Sequence, residues 1–443
     1  MASPQASANQ ASHLGIYPED LGFLTDLYQL TMTACYVGEA VAERRASFEL
    51  FTRRLPGQYG YVIAAGLEQA IAYLENLSFS PEKITALQNT GIFDHAPAAF
   101  WELLAQAQFT GDLWAVPEGT AVFAQEPLLR VEAPLWQAQL VETYLLNVIN
   151  YQTLIATRAA RVRDVAGPKA MLLEFGTRRA FSPQGAVWAA RAAIAGGLDA
   201  TSNVLAALQL GQRPSGTMAH ALVMALTTLE GSEDQAFQAF HRYFPGAALL
   251  IDTYDPVAAA IRLAEAQRQG SPIPAVRLDS GNLVELSKIV RSYLPQTQIF
   301  ASGDLDEFAI AHLRAQQAPI DGYGLGTKLV TGVPVNGVYK LVEIDGVPVM
   351  KESASKMTYP GQKQIFRQVR RGLLVCDQLG LATEQTKQTT LAGNTQPLLQ
   401  RVMQAGVRLQ ARESLGAIAA RTAESVASLP PPCGTSTPLK PPL

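Results

Sequence analysis

The sequence predicts an α/β fold with a parallel β-sheet and a second, smaller domain. Between about residues 169 and 329, short apolar segments alternate with helical segments, which is the pattern of βα units in a parallel sheet. Most of these apolar segments are followed by Gly, Asp, Ser, Thr or Arg. Polar groups at the carboxyl ends of strands are typical of both barrels and open α/β sheets, and the pattern does not choose between them. The chain has 443 residues, and because one barrel accounts for about 250 of them, a second domain is expected.

The composition excludes several classes of protein. Hydrophobic residues make up 48% and charged residues 16% of the chain, which is typical of a folded protein and not of a disordered one. The net charge of −3 provides no basic excess, so no nucleic-acid partner is expected. The three cysteines, Cys35, Cys376 and Cys433, lack the spacing of a zinc site. Their small number favours a reduced, cytoplasmic location.

Both ends of the chain differ from the rest. Residues 1–20 predict a disordered lead, and because they contain no lysine or arginine they lack the features of a secretory signal. No run reaches about 18 uncharged apolar residues, so no membrane partner is expected. Residues 429–443 contain six prolines and predict an extended, proline-rich tail.

The N-terminal α/β domain is predicted over residues 21–150. Its elements follow from periodicity and from turn residues. They are a helix that begins at Thr25 or Asp26, strands over 47–51 and 113–131 with a turn at 117–119 and a bend at Pro127, and one long amphipathic helix over 135–156.

The domain that carries the βα pattern is predicted over residues 151–330. Its strands are predicted at 170–175, 248–253, 274–278, 298–301 and 322–325, and two of its helices at 221–229 and 283–293. Residues 331–428 predict strands and helices that pack back on the N-terminal domain. They include strands at 338–344 and 347–351, with turns at 335–337 and 345–346.

Five polar clusters in the βα domain point to an anionic substrate. The first places Arg178 and Arg179 after a strand and a glycine. Guanidinium groups bind phosphate in a bidentate manner, although a pair of surface arginines is an equal alternative. The second places His220 at the start of an apolar helix, where free backbone N–H groups attract phosphate. The imidazole there can act as acid, base or phosphate acceptor, and a capping histidine is the alternative.

The third cluster places Arg277 and Asp279 two residues apart at a strand end, so both side chains face the same site. Asp279 can hold magnesium or a ribose hydroxyl. Alternatively, Asp279 and Ser280 cap the helix that follows. The fourth cluster contains Gly303 and Asp304, again after a predicted strand.

The fifth cluster, at residues 322–328, has three alternating glycines followed by Thr327 and Lys328. Such a segment lets the backbone approach phosphate oxygens. Neither the Walker pattern nor a complete dinucleotide-binding pattern is present. Taken together, the five clusters predict a multiply phosphorylated substrate bound with magnesium.

Nine segments, in order over about residues 20–370, resemble nicotinate phosphoribosyltransferase, a type II phosphoribosyltransferase of NAD salvage. They are LTDLYQLTM (24–32), EFGTRRAFSP (174–183), GGLDATSNVLAA (196–207), SGTMAHALVMA (215–225), IDTYD (251–255), VRLDSGN (276–282), ASGDLDE (301–307), GYGLGTKL (322–329) and YKLVEIDGVPVMKESASKMTYPGQKQ (339–364).

The resemblance implies an irregular, TIM-like α/β barrel joined to a smaller N-terminal α/β domain. It implies that nicotinate and phosphoribosyl pyrophosphate are converted to nicotinate mononucleotide and pyrophosphate. The reaction is expected to need Mg²⁺ and to be coupled to hydrolysis of the co-substrate ATP through a phosphohistidine. A homodimer with a shared active site is also implied.

The resemblance also implies roles for residues at matching positions. His220, Asp279 and Arg277 are expected to be catalytic, His220 as the phosphorylated histidine and Asp279 beside the ribose and the metal. Arg277 and Arg178 are expected to anchor the nicotinate carboxylate or the phosphates. The other expected substrate-binding residues are Tyr28 and Phe175 on the two faces of the pyridine ring, Thr217, Asp199, Ser280, Gly303, Asp304, Gly324, Gly326 and Thr327.

Other functions stay open at this point. A related enzyme would use nicotinamide or quinolinate, although quinolinate enzymes are shorter and need no phosphorylated histidine. A catalytically inactive paralogue would bind the same ligands, yet His220, Arg277 and Asp279 are all present. An aldolase barrel would need a Schiff-base lysine at a strand end, and Lys328 is the one candidate near these loops.

Overall fold

The computed structural model describes residues 14–57, 59–352, 356–384 and 394–430. Residues 1–13 of the predicted lead and residues 431–443 of the predicted tail therefore lie outside the described residues. The rest of the lead runs into a short 3₁₀-helix, Pro18–Phe23. The α-helices are α1 (Leu27–Gly38), α2 (Leu67–Glu75), α3 (Pro81–Gln88), α4 (Ala98–Ala105), α5 (Leu135–Leu140), α6 (Glu142–Ala166), α7 (Pro183–Ala195), α8 (Val204–Gln209), α9 (His220–Glu230), α10 (Glu233–Tyr243), α11 (Pro256–Arg268), α12 (Leu283–Tyr293), α13 (Glu307–Ala315), α14 (Thr327–Val330) and α15 (Leu415–Ala427).

The strands form four sheets. The strands are β1 (Arg45–Phe51), β2 (Val62–Ile63), β3 (Asp112–Ala115), β4 (Ala121–Val122), β5 (Pro127–Pro134), β6 (Met171–Glu174), β7 (Ala200–Thr201), β8 (Leu249–Leu250), β9 (Ala275–Leu278), β10 (Gln298–Ala301), β11 (Gly322–Leu325), β12 (Val338–Ile344), β13 (Val347–Pro348), β14 (Lys363–Arg370), β15 (Leu373–Leu381), β16 (Asn394–Pro397), β17 (Gln400–Gln404) and β18 (Val407–Arg408).

The largest sheet is antiparallel and combines strands from both ends of the chain, in the order β13-β12-β1-β5-β3-β17-β18. β1 pairs with β12 on one side and with β5 on the other. Six of its seven residues are buried, because helix α5 packs against the sheet. The core beside it contains Phe100 and Leu104, each fully buried. Burying a side chain of this size stabilises the fold by about 1.5–3 kcal/mol.

The second sheet is parallel and has six strands in the order β7-β6-β11-β10-β9-β8. Helices follow most of these strands along the chain, which is the βα arrangement predicted from the sequence. β7 and β8 are its two edges, and within the described part of the chain they do not pair with each other. The predicted α/β class with a smaller N-terminal domain is confirmed, whereas the described pairing leaves the barrel open.

Helix α6 connects the two cores. Its first turns bury Leu145 and Val148 against the antiparallel sheet, and its later turns bury Ile155 and Ala159 against the parallel sheet. The sequence predicted one helix over 135–156. In the structure, Val141 separates two helices, α5 and α6. α6 continues to residue 166 because its apolar face packs on the second core.

Of the other predicted elements, some match the structure and some differ from it. The helix at 283–293 and the strands at 298–301 and 322–325 have the predicted bounds. The strand predicted at 248–253 is only two residues long in the structure. Pro127 does not open a bend. It is the first residue of β5, a position where its missing N–H is tolerated.

The C-terminal part adds a three-stranded sheet, β15-β14-β16, and helix α15. α15 packs against α6, α7 and β4, so it contacts both domains. Of the helices in the described residues, none is long and apolar enough to cross a membrane.

Candidate active site

The polar clusters meet at one end of the parallel sheet. Phe175 follows β6, Asp279 follows β9 and Ser302 follows β10. Parallel pairing brings these ends together: the Phe175 N–H donates to the Leu325 carbonyl at 2.7 Å, and the Ser302 N–H donates to the Leu278 carbonyl at 2.9 Å. The strand-end clusters of the sequence therefore form one site.

A cavity of about 200 Å³ lies inside this sheet. Its lining includes residues of β6, β9, β10 and β11 and the loop before α9, so the sheet curves around it: Leu173, Phe175, Thr217, Arg277, Phe300 and Gly324. A cavity of about 150 Å³ is large enough for benzene. The interior of the sheet therefore has room for one aromatic ring.

The Phe175 ring forms one wall of this cavity, and Gly324 makes that position possible. A Cβ atom at residue 324 would lie 2.6 Å from the Phe175 ring. The Arg277 guanidinium carbon is 6.0 Å from the centroid of the same ring. The predicted ring-binding residue, glycine and arginine are thus brought together.

Arg277 lines the cavity and carries a donor that no described residue accepts. Its Nη2 donates to the Met218 carbonyl at 2.9 Å, while its Nε is buried and has no hydrogen-bond partner in the part of the chain that the structure describes. Burial lowers the pKa of Arg277, whereas the nearby carboxylates of Asp279 and Asp252 raise it. An arginine remains charged in proteins, so this buried guanidinium favours an anionic acceptor such as a carboxylate.

Two aspartates lie beside Arg277. Asp252 accepts hydrogen bonds at Oδ2 from the Asp279 N–H at 2.8 Å and from the Ser280 hydroxyl at 2.7 Å. The Ser302 hydroxyl donates to Asp279. The other oxygen of Asp252, Oδ1, is buried and accepts no hydrogen bond from any described residue. The site therefore contains a carboxylate oxygen whose hydrogen-bonding capacity the described residues leave unused.

The sequence analysis did not single out Asp252, although the IDTYD segment that contains it follows a predicted strand as the other clusters do. Its position after β8 was a sufficient signal. In the described residues, no group of three or more His, Cys, Asp or Glu side chains forms a ready metal site. Asp252 and Asp279 fit Mg²⁺, which in proteins is commonly bound by one or two carboxylates together with water and substrate phosphates.

Gly303 is held close to Asp279. Its φ of +95° is in the left-handed region, and a Cβ there would overlap the Asp279 carbonyl oxygen. Asp304 also has a positive φ, of +46°. This tight turn lies beside the predicted metal and ribose site.

His220 is the first residue of α9, with Ala219 as the N-cap residue. Its Nδ1 is 3.0 Å from the Thr253 hydroxyl oxygen, which fixes the imidazole ring. Its Nε2 makes no hydrogen bond to any residue that the structure describes. Because Arg277 donates to Met218, two residues before His220, the histidine loop is joined to the interior cavity.

The glycine-rich loop after β11 completes this end of the sheet. Gly326 precedes α14, and Thr327 is its first residue. The Lys328 ammonium forms an ion pair with Asp306 at 2.9 Å, which joins this loop to the segment after Gly303 and Asp304. Arg178 is exposed, and its charge lowers the pKa of Arg277.

Two predicted site residues do not join this cluster within one chain. Tyr28 lies on α1 in the N-terminal domain and is 47% exposed. Asp199 precedes β7, where its carboxylate accepts from the Leu172 N–H at 2.6 Å and pairs with Arg163 at 2.6 Å. Asp199 thus has a structural partner on each side, and its role in substrate binding stays a prediction, as does that of Tyr28.

Comparisons with known proteins identify the family of this chain. A family model described as the nicotinate phosphoribosyltransferase N-terminal domain matches residues 23–150, and one described as the nicotinate phosphoribosyltransferase family matches residues 170–307. A nicotinate phosphoribosyltransferase of Mycobacterium tuberculosis is 42% identical over 397 residues, which cover 87% of this chain and 82% of the relative. One from Bacillus subtilis is 44% identical over 371 residues, 80% of this chain and 74% of the relative.

A solved structure shares the fold. The crystal structure of human nicotinic acid phosphoribosyltransferase is similar with a TM-score of 0.80 and 29% identity, covering 92% of this chain and 94% of that one. The family resemblance drawn from the sequence is confirmed. The chain belongs to the nicotinate phosphoribosyltransferase family and is an enzyme of that type.

Proposed function

We propose that this enzyme transfers the phosphoribosyl group of phosphoribosyl pyrophosphate to nicotinate, with Mg²⁺ and with coupled hydrolysis of ATP, in NAD salvage. The observation that carries the proposal is the interior cavity. It combines an aromatic wall, Phe175, with Arg277, whose charge is close enough to Asp279 and Asp252 for their carboxylates to raise its pKa.

The cavity suits nicotinate better than nicotinamide. The pyridine ring would stack on Phe175, and its carboxylate would accept from Arg277. A guanidinium has only donors, so it pairs with both oxygens of a carboxylate, whereas the NH₂ group of an amide offers it no acceptor. The preference for nicotinate follows from this donor set.

The chain's residues would favour cleavage of the bond between the ribose C1 atom and pyrophosphate. The pyridine nitrogen attacks C1, and the C1–O bond breaks as pyrophosphate leaves. Negative charge grows on the leaving group, where fixed positive charges lower the barrier. Asp252 and Asp279 would hold Mg²⁺, which supplies charge neutralisation for the pyrophosphate. Because the ring nitrogen is already a nucleophile, holding it in place supplies the orientation and no strong base is needed.

His220 is proposed as the acceptor of a phosphoryl group from ATP. Nε2 would attack the γ-phosphorus, the bond to ADP would break, and water would later release the phosphate. Thr253, at 3.0 Å from Nδ1, holds the ring for this step. The phosphohistidine would carry a charge of roughly −2. That charge would attract Mg²⁺ and, through the metal, hold the pyrophosphate end of the substrate, which would explain an increase of turnover with ATP.

We also propose that the enzyme is a homodimer in which Tyr28 of a second copy covers the free face of the pyridine ring. The support is that Tyr28 is half-exposed on α1 and does not reach the cavity of its own chain. A cytoplasmic location stays a prediction.

A product assay tests the proposal. The purified enzyme is given phosphoribosyl pyrophosphate, Mg²⁺ and either nicotinate or nicotinamide, with and without ATP. Nicotinate mononucleotide that increases with ATP is the expected product, and His220→Ala is expected to lose the ATP effect. Product from nicotinamide alone would favour the nicotinamide enzyme. No product from either base, by a protein that still binds the donor, would indicate an inactive paralogue. An aldolase is disfavoured, because the described lining of the interior cavity includes no lysine.

A further inference from the structure

Two arginines of helix α6, Arg158 and Arg161, contact the loops on which the candidate site depends. They lie three residues apart, so they occupy neighbouring positions on one face of the helix. We propose that they are positioning residues that fix the spacing between the loop after β10 and the loop after β11. The inference rests on the proposed function, in which these two loops bind the phosphoribosyl group.

Arg158 holds the loop after β11. Its Nη1 donates to the carbonyl oxygens of Lys328 and Thr331, at the two ends of the turn that follows Gly326 and Thr327. Its guanidinium packs over Gly332, where any Cβ would overlap it. Two carbonyls held by one rigid guanidinium cannot move independently, so Arg158 sets the shape of this loop.

Arg161 holds the loop after β10. Its Nε donates to Glu307 at 2.9 Å, and both side chains are over 90% buried. Glu307 is the first residue of α13 and follows Gly303 and Asp304 closely in the chain. A buried and paired arginine of this kind fixes where α13 begins, and therefore where the Gly303 turn lies.

Tyr59 and an ion pair connect the two contacts. The Tyr59 hydroxyl accepts from Arg158 Nε at 3.2 Å, and the Arg161 guanidinium carbon lies 4.5 Å from the Tyr59 ring centroid. Lys328 and Asp306 join the loops directly. α6, both loops and the segment that carries Tyr59 therefore form one closed set of contacts.

The charges of this set favour an anionic ligand. Arg161 pairs with Glu307 and Lys328 pairs with Asp306, whereas no carboxylate among the described residues pairs with Arg158. The Asp164 carboxylate also interacts with Arg161, so the positive charge that remains for an anionic ligand is that of Arg158. Arg158 contacts the loop through main-chain atoms only. It should therefore affect the affinity for phosphoribosyl pyrophosphate through the position of the loop and through its own positive charge.

The test compares Arg158→Met with a matched control on the same helix, Arg163→Met. Arg163 also donates to main-chain carbonyls, those of Gly197 at 2.8 Å and Ala170 at 2.6 Å, but it lies on the side of Asp199, away from the two loops. Binding of phosphoribosyl pyrophosphate with Mg²⁺ is measured by calorimetry, together with the KM values of both substrates, kcat and the thermal midpoint.

Arg158→Met is expected to weaken donor binding and raise the donor KM by between about tenfold and a hundredfold, with a smaller change in kcat. Arg163→Met is expected to lower the thermal midpoint and leave donor binding unchanged. Arg158→Lys keeps one charge and is expected to recover part of the affinity. It also serves as the folded variant if the methionine variant does not fold.

Unchanged donor affinity in a folded Arg158 variant would overturn the inference, as would an equal loss of donor affinity in Arg163→Met. A wild-type enzyme that does not bind phosphoribosyl pyrophosphate would refute the proposed function instead. The two failures are therefore distinguishable.

Discussion

Arg277 donates from Nη2 to the main-chain carbonyl of Met218 at 2.9 Å, which joins strand β9 to the loop ahead of His220. The same guanidinium lines the cavity, and its Nε is buried with no hydrogen-bond partner among the described residues. One side chain therefore contacts both the proposed ring-binding cavity and the loop of the histidine that ATP is proposed to phosphorylate. Binding of a substrate carboxylate by Arg277 and phosphorylation of His220 would therefore be coupled through residues 218–220.

Replacing Arg277 should change the choice of base. A hydrogen bond to a charged group contributes about 1.5–3 kcal/mol, which is roughly a 10-fold to 150-fold change in an equilibrium constant. Arg277→Met is expected to lower kcat/KM for nicotinate by that factor and to change kcat/KM for nicotinamide much less. The measurement is the ratio of the two kcat/KM values at saturating donor. An equal loss for both bases would show that Arg277 does not contact the carboxylate.

A side chain at residue 303 should destabilise the turn that Gly303 forms. Gly303→Ala places a methyl group against the Asp279 carbonyl at a φ of +95°. Gly270→Ala is the matched control, because Gly270 has a φ of +96° with no atom within 4 Å of the added Cβ. Both variants pay the strain of a positive φ, about 1–3 kcal/mol, and only Gly303→Ala adds the overlap. We expect Gly303→Ala to have the lower thermal midpoint and the higher donor KM. Equal midpoints and equal KM values in the two variants would contradict the close approach.

Much of this site could be predicted from the sequence, because parallel strands place their carboxyl ends together. The clusters around Phe175, Arg277 and Gly303 were found from local patterns and lie together for that topological reason. β7 was not predicted, because two residues are too few for a periodic signal. The position of Asp252 after a predicted strand could have singled it out, whereas the burial of its Oδ1 atom without a partner among the described residues is a property of packing.

The ends of helix α6 and the contacts of Arg158 are also set by tertiary packing and not by the local sequence. Nothing in the local sequence distinguishes Arg158, which holds two carbonyls of the β11 loop, from Arg163, which holds carbonyls elsewhere. The two carbonyls that Arg158 holds lie 170 and 173 positions away along the chain, so only the tertiary structure assigns them. Long-range polar contacts, the ends of α6 and the two-residue strand β7 are therefore what the sequence could not supply.

A shared active site predicts that two defective variants restore each other. In a mixed dimer of Tyr28→Ala and Asp279→Ala chains, one site combines the intact Asp279 of the first chain with the intact Tyr28 of the second. The other site carries both changes. Random mixing of equal amounts makes about half of the dimers mixed by symmetry, each with one intact site, so about a quarter of wild-type activity should return. The measurement is the activity of the mixture after subunit exchange, with each variant alone as the control. No recovery by a verified mixed dimer would place Tyr28 in its own chain's site or in none.

The stability of the enzyme should depend on pH through Glu126. This side chain is buried on the loop after β4, and burial together with the charge of Asp377 raises its pKa from 4.5 to about 8. Asp377 stays paired with Arg367 at 2.6 Å. Between the two pKa values the folded protein holds a proton that the unfolded chain releases. The free energy of unfolding therefore falls as pH rises through this interval, by at most about 1.4 kcal/mol per pH unit, and the stabilisation is lost above about pH 8.

Glu126→Gln separates this effect from the titration of other groups. The amide keeps an acceptor for the Phe123 N–H, which donates to Glu126 at 2.8 Å in the wild type, and it places a donor toward Asp377 without titrating. Thermal midpoints of both proteins are measured from pH 5 to pH 9. The wild-type midpoint is expected to decrease more steeply than that of the variant, so that the variant gains relative stability at the alkaline end. Parallel midpoint curves would mean that Glu126 is ionised in the folded protein at neutral pH, which would leave two carboxylates facing each other with Arg367 as their shared counter-charge.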